Sequence, residues 1–409
     1  MGMDDILIDA AYAYAGCFIC PNCVKEPGLK KYIKKRTLPE KRCELCGRTR
    51  NAMDFYELLK YAEKCIYKEY DRANGTLPYD KEEGRYHGEI FDSEELLGSL
   101  FGDEENEKFI EVMANVLGED NWCDLTEEWS HIHRPMSYSW DSFKNEILRS
   151  RRYTFLLSST HDSSSIPPDQ SFKDILDEIG YFIEKHDLIR VVKEGNIFVR
   201  ARAKKPNKDT SYIKAIEPDY LYQPFNDISQ LSSPPHEYAM EGRMNPKGIS
   251  MFYCAEKEET CLKEIENSDN VSITIAKFRN VKKLNVLDLG KIPSTPSLFD
   301  EEYEDRSILI FLNEFEYDIS QKTIPGDQIR LEYIPTQIVT EYFRYYLKAK
   351  NGENIDGIRY RSSVGTGYNY VFFYGPSAFK GSDSYAEEYF ELLPAETKAI
   401  KLKDLESVK

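Results

Sequence analysis

Apolar residues recur at helical spacing in three stretches before residue 160: Phe55, Leu58, Leu59, Ala62, Ile66 and Tyr70; then Phe109, Ile110, Met113 and Leu117; then Trp140, Phe143, Ile147 and Leu148. Intervals of three and four put each set on one helix face, so residues 52–157 are predicted to be mostly helical. The stretch SSTHDSSSIPPDQS at 158–171 has the composition of a surface loop. Phe172, Ile175, Leu176, Ile179 and Ile183 then predict a further helix. From Asn196 the period changes to two. Ile197, Val199 and Ala201 share one strand face, which puts Phe198, Arg200 and Arg202 on the other. Strands are predicted at 251–255, 271–278, 284–289 and 370–374, with a helix on Ile338, Val339, Tyr342, Phe343 and Tyr346 between them. Strands mixed with helices, without regular βαβ alternation, predict an α+β fold and not a doubly wound sheet.

A chain of 409 residues exceeds what one core usually organises, and 21 Phe with 29 Tyr exclude a disordered protein. No apolar run reaches the ~18–20 residues of a membrane span, and the start MGMDDILIDAAYAYAG lacks the basic and apolar regions of a signal peptide. The expectation is a cytoplasmic protein without membrane contact. A net charge of −17 argues against nucleic-acid binding over the whole surface. The charge is uneven: residues 24–50 carry +7 and residues 51–130 carry −15. Acidic runs such as Asp103, Glu104 and Glu105 read as solvated faces. The basic island of Lys30, Lys31, Lys34, Lys35 and Arg36 reads as packing beside the acidic 51–130 segment, with nucleic-acid contact there as the alternative.

Five of the nine cysteines fall within residues 17–46. Cys20-Pro-Asn-Cys23 and Cys43-Glu-Leu-Cys46 are two C-x2-C pairs separated by 19 residues, the spacing of a four-thiolate zinc site. Two such knuckles complete a closed tetrahedron, so Cys20, Cys23, Cys43 and Cys46 are the expected ligands of a structural Zn2+. Cys17 is a competing ligand. Phosphate-loop, dinucleotide-binding, H-E-x-x-H and G-x-S-x-G motifs are absent from the sequence. His131 and His133 bring no third metal ligand and read as ordinary histidines.

A series of motifs follows from Pro234-Pro235-His236 through Gly242-Arg243-Met244-Asn245-Pro246-Lys247-Gly248 and Phe252-Tyr253-Cys254-Ala255 to Glu259-Thr260-Cys261-Leu262-Lys263-Glu264. Glu332-Tyr333-Ile334-Pro335-Thr336-Gln337 and Asp356-Gly357-Ile358-Arg359-Tyr360-Arg361-Ser362-Ser363 come later. Their order and spacing resemble the RES-domain family over roughly residues 196–375, with Arg243, Glu264 and Ser362 at its arginine, glutamate and serine. The N-terminal part, with its cysteine pairs and Glu26-Pro27-Gly28-Leu29, resembles the cysteine-bearing HEPN-type domain that precedes some RES domains. Residues 1–170 hold no Arg followed four to six residues later by His, so RNA cleavage is not expected of it. The organisation read from the chain is a zinc-knuckle segment at 1–50, a helical HEPN-like domain at 51–190, a RES catalytic domain at 191–380 and a C-terminal tail at 381–409.

The resemblance implies a toxin that destroys NAD on a fold similar to ADP-ribosyltransferases. Breaking the nicotinamide–ribose bond builds an oxocarbenium ion, and a carboxylate near the anomeric carbon stabilises it; Glu264, on a short predicted helix, is the candidate. Guanidinium groups grip pyrophosphate oxygens, which suits Arg243 and Arg200, with Arg202 able to replace Arg200. Tyr253 offers a ring for nicotinamide and a hydroxyl for ribose. Ser362, with Ser363 as its neighbour, would bind nucleotide or position Glu264, since no histidine base is at hand. Asn369 is a further polar candidate. The expected activity is NAD glycohydrolase or phosphorylase, in a toxin or phage-defence effector with an antitoxin or trigger protein as partner. A protein-directed mono-ADP-ribosyltransferase and a zinc-dependent binding module with an inactive RES part are the alternatives, and the oligomeric state is open.

Overall fold

The computed structural model describes residues 10–125, 140–150, 152, 172–204, 225, 227–265, 272–301, 305–321, 329–382 and 386–401. His131, His133 and the 158–171 stretch lie outside them. The chain forms two compact units. Among the described residues, the first takes 10–142 together with 294–310, and the second takes 143–293 and 311–401.

In the first unit, β1 (Phe18–Ile19), β2 (Leu38–Arg42) and β3 (Thr49–Asp54) make a small sheet in the order β1-β3-β2. Helix α1 (Pro27–Lys35) starts on Pro27, with the Glu26 carboxylate accepting from the Leu29 N–H as its N-cap. Helix α2 (Phe55–Ile66), capped by Asp54, carries the first predicted stripe, but Tyr70 lies beyond it in β4 (Tyr70–Arg72). β5 (Phe91–Asp92), α3 (Ser93–Phe101), α4 (Glu107–Leu117) and β6 (Asn121–Asp124) follow, with the sheet order β4-β6-β5. Most of the described part of 52–157 is helical, and the third predicted stripe lies in the helical stretch Trp140–Ser150, but short strands come between the helices. Strands of two to four residues are too short to show an alternating period, so no sign of them shows along the chain.

The segment 294–301 belongs to this first unit, although it lies within the range assigned from sequence to the RES domain. Leu298 and Phe299 are buried among α1, α2, α3 and α4, and Phe299 stacks on Phe101 with ring centroids 5.2 Å apart. Tyr61 donates its hydroxyl to the Phe299 carbonyl at 3.0 Å, and Ser297 donates to Glu26. Lys31 pairs with Asp300 at 3.1 Å, while Lys35 and Arg36 both reach Glu301. Asp300 and Glu301 thus supply acidic partners for Lys31, Lys35 and Arg36, while the helix that carries them packs beside the 51–130 segment as expected, Tyr32 stacking on Tyr61 with ring centroids 3.6 Å apart. Pairing spends much of the positive charge on which nucleic-acid contact would depend. Glu105 is a second correction: it is buried, and its carboxylate accepts backbone N–H groups of Lys25, Glu26 and Asn106. A carboxylate that collects several N–H donors offsets the cost of leaving water.

Gly28 marks how closely the 294–301 segment approaches α1. A Cβ there would lie 2.8 Å from the Phe299 carbonyl carbon and 2.9 Å from the Asp300 nitrogen. Both are backbone atoms that cannot rotate away, so Gly28→Ala is expected to cost about 1–3 kcal/mol, the range for overpacking. Chemical denaturation of the full chain checks this; a variant as stable as wild type would show that the segment detaches freely.

The second unit is built on a nine-stranded sheet. Its strands are β7 (Ile189–Val192), β8 (Ile197–Lys204), β9 (Phe252–Ala255), β10 (Ser272–Asn280), β11 (Leu284–Asp288), β12 (Gly357–Arg361), β13 (Tyr368–Phe372), β14 (Phe390–Leu392) and β15 (Lys398–Lys401). The order is β14-β10-β8-β9-β13-β12-β11-β7, with β15 pairing β10 as well. All neighbours are antiparallel except β11 and β12. The expected α+β class holds. The unit's longer helices are α5 (Phe172–Lys185), α6 (Glu258–Ile265), α7 (Arg306–Ser320, from Phe311 on in this unit) and α8 (Tyr333–Tyr345). Residues 390–401, assigned from sequence to a tail, supply two strands, and Phe390 is fully buried.

The alternation at 197–202 sorts as its period predicts. Phe198 packs with Phe252, Phe278 and Phe372 on one face, while Val199 and Ala201 pack with Ala255, Cys261 and Ile275 on the other. β8 pairs with β10 along eight residues but meets β9 only at Val199 and Ala255. Beyond that pair the two strands separate, and this split opens the sheet. Among the described residues no helix is long and apolar enough to cross a membrane.

Candidate functional site

A cleft of about 440 Å3 lies in the second unit at the split between β8 and β9. Its volume falls within the range of small-molecule sites. Arg200, Arg202, Arg243, Tyr253, Glu264 and Asn369 all line it. These sequence candidates, up to 169 residues apart in the chain, are brought together.

Glu264 stands in the last turn of α6. Its Oε1 accepts from Ser362 Oγ at 2.8 Å and from Asn369 Nδ2 at 2.9 Å. Ser362 directly follows the strand β12 and Asn369 lies in β13, so the turn between them places both donors on one oxygen. The Ser362 N–H closes that turn on the Gly367 carbonyl at 3.0 Å. Ser362 is buried and meets the carboxylate, whereas Ser363 is exposed. Oε2 of Glu264 accepts no hydrogen bond from the described residues, and the carboxylate presents it with its orientation fixed.

Thr260, buried one turn before Glu264, seats α6 on this turn. A Cβ on Gly367 would fall 2.1 Å from Thr260 Oγ1. Gly367→Ala is therefore expected to push α6 and the turn apart and to lower turnover more than it lowers the melting temperature. Adding Thr260→Ala, which removes the closest atom, should restore part of the loss. Equal activity of Gly367→Ala and wild type would show that Glu264 does not depend on this contact.

The arginines are held differently. Arg200 is 7% exposed and donates through Nη1 to the Tyr253 carbonyl, bridging the strands where they part. Burial, and then the neighbouring Arg202, lower its pKa to about 9. Arg202 donates to the Ser232 carbonyl at 3.3 Å, and burial lowers its pKa too. The Nε–H groups of both lack a partner among the described residues. Two neighbouring guanidinium groups without a carboxylate form a site that favours an anion. Arg243 donates from Nε to the Gln321 carbonyl at 2.7 Å and lies 4.9 Å from the Tyr333 ring centre.

Tyr253 donates its hydroxyl to Asn245 Oδ1 at 2.7 Å, and burial raises its pKa. That proton is committed to the protein, which leaves the ring as the surface Tyr253 offers to a ligand. Asn245, not singled out from sequence, in turn donates to the carbonyls of Met240 and Ile249, both at 2.9 Å. Gln337 donates to the Gly242 carbonyl at 2.8 Å, and Thr336 donates to that of Arg243. Thr336 and Gln337 thus shape the arginine loop from α8. Their signal in the sequence was a motif 90 residues away, without any local pattern.

In the first unit, the Sγ atoms of Cys20, Cys23, Cys43 and Cys46 lie within 4.8 Å of one another. The Cys20–Cys23, Cys23–Cys43 and Cys20–Cys46 separations are 3.6, 3.7 and 3.8 Å. A tetrahedron with metal–sulfur bonds of ~2.3 Å has edges of roughly 3.8 Å, so the four thiols are placed to hold a metal ion. Cys17 stands outside this cluster.

The family described as HEPN/RES N-terminal domain 1 matches residues 36–161, and the RES domain matches residues 213–392. The chain thus carries an HEPN/RES N-terminal domain followed by a RES domain. A comparison with curated proteins finds no match. Among solved structures, a chain from the M. tuberculosis MbcT–MbcA toxin–antitoxin complex is similar at 11% identity, over 56% of this chain and 93% of that one. Its TM-score of 0.26 is too low to carry any argument.

Proposed function

We propose that the protein is an NAD-consuming toxin or defence effector that cleaves the nicotinamide–ribose bond in the cleft of the second unit. The observation that carries this reading is the Glu264 carboxylate, fixed through one oxygen by Ser362 and Asn369 on the wall of a cleft that also holds three arginines. As nicotinamide departs with the bonding electrons, positive charge develops on the ribose, and a preorganised carboxylate stabilises it without having to reorient. Arg202 and Arg243 suit the pyrophosphate. Arg200, tied across the split, adds positive potential from beneath. The Tyr253 ring would face the base or the sugar. Water or phosphate would complete the reaction at the anomeric carbon, giving a glycohydrolase or a phosphorylase.

The four cysteines suit Zn2+, which would hold the N-terminal segment together and supply no chemistry to the cleft. The first unit would serve as the surface for an antitoxin or trigger protein. Nicotinamide release from NAD by the purified full-length chain, with and without phosphate, tests the reaction and names its acceptor. Label passing from NAD to a protein would favour the mono-ADP-ribosyltransferase instead. A wild-type protein that leaves NAD intact under both conditions would count against the reading.

A further inference from the structure

Tyr360 also lines the cleft. It pairs with Asn369 across β12 and β13, so both side chains stand on the same face of the sheet. The residue is 7% exposed, and its hydroxyl makes no hydrogen bond to the described residues, although the oxygen itself is not sealed from solvent. A buried ring whose polar tip opens to the cleft can exchange water there for a group of the ligand. Burial, followed by the nearby Tyr253 and Glu264, raises its pKa well above the ordinary phenol value. The hydroxyl therefore keeps its proton and acts as a donor. Arg243 is also among its charged neighbours.

We infer that Tyr360 touches the substrate, donating its phenolic hydrogen to a hydroxyl oxygen of the ribose held against Glu264. The inference rests on the proposed cleavage of NAD. Phosphate oxygens would be drawn to the guanidinium groups, whereas a neutral donor beside the catalytic carboxylate meets the hydroxyl-bearing ring whose anomeric carbon that carboxylate serves. No proton is transferred and no bond is made: the phenol orients the ring and remains protonated throughout.

The test is Tyr360→Phe in the full-length protein, which keeps the ring and its volume and removes only the donor. Cleavage of NAD should fall by about 10- to 100-fold, the cost of losing a buried hydrogen bond to substrate. Wild type and variant are then compared on NAD analogues that lack the 2′- or the 3′-hydroxyl of the nicotinamide ribose. For one analogue, the ratio of its rate to the NAD rate should differ between the two proteins by the factor that Tyr360→Phe costs on NAD. This ratio does not depend on how much of the variant is folded. Identical ratios for both analogues, or an unimpaired variant, would overturn the inference while leaving the proposed function standing. A wild type that cleaves no NAD would overturn both.

Discussion

Glu264→Gln is expected to lower NAD cleavage by about 10²–10³-fold while the protein stays folded, the magnitude associated with removing one preorganised electrostatic group. Glutamine has nearly the same shape, and its amide oxygen can still accept from Ser362 and Asn369. What disappears is the negative charge facing the anomeric carbon. The loss should therefore appear in kcat, with KM changed little, because an uncharged ground-state ribose gains little from the carboxylate. Ser362→Ala and Asn369→Ala should each act through Glu264 and cost less, about tenfold, since the other donor still holds Oε1. Nicotinamide release at saturating and limiting NAD gives both constants. A Glu264→Gln variant with the wild-type rate, measured beside an active wild type, would remove Glu264 from the chemistry.

Cys43→Ser should destabilise the first unit by more than ~4 kcal/mol and abolish stoichiometric metal binding. Cys43 is fully buried, its backbone N–H bonds to Arg48, and its thiol receives the Cys20 N–H at 3.4 Å. A hydroxyl there cannot supply a thiolate ligand, and the remaining three cysteines would be left around an incomplete tetrahedron. Metal analysis should give one zinc per chain in wild type and none in the variant, and a chelator should reproduce the loss of stability. Cys17→Ser, outside the cluster, should change neither. A metal-free wild type that melts with Cys43→Ser at one temperature would show that the cysteines pack without an ion.

The candidate carboxylate was legible through the run of motifs that resembles the RES family, whose order singled out both Glu264 and Ser362; helical spacing added only that Glu264 stands one turn after Thr260. The alternation at 197–202 assigned Arg200 and Arg202 to one face. Asn245, Gln337 and Tyr360 were not read as site residues: Gln337 acts on a loop more than 90 residues away, and neither the turn that Asn245 ties nor the cleft that Tyr360 lines shows in a local period. Short strands such as Tyr70–Arg72 and Asn121–Asp124 escaped too, because they are defined by pairing with each other.

By itself the sequence determined the α+β class of the RES part, the four cysteines as one ligand set and the motif residues of the cleft. For the class a change of period carries the reading, and for the cysteines the spacing of two C-x2-C pairs does; the cleft residues followed from motifs whose order resembles the RES family. Only the tertiary structure decided that residues 294–301 belong to the first unit, with Phe299 in its core, so that a fragment beginning near residue 190 would strip Phe299 of its packing. It also decided that Lys31, Lys35 and Arg36 pair with Asp300 and Glu301, and that β8 and β9 part beyond Val199 to open the cleft. These features depend on which distant surfaces bury each other, and no local pattern along the chain records that choice.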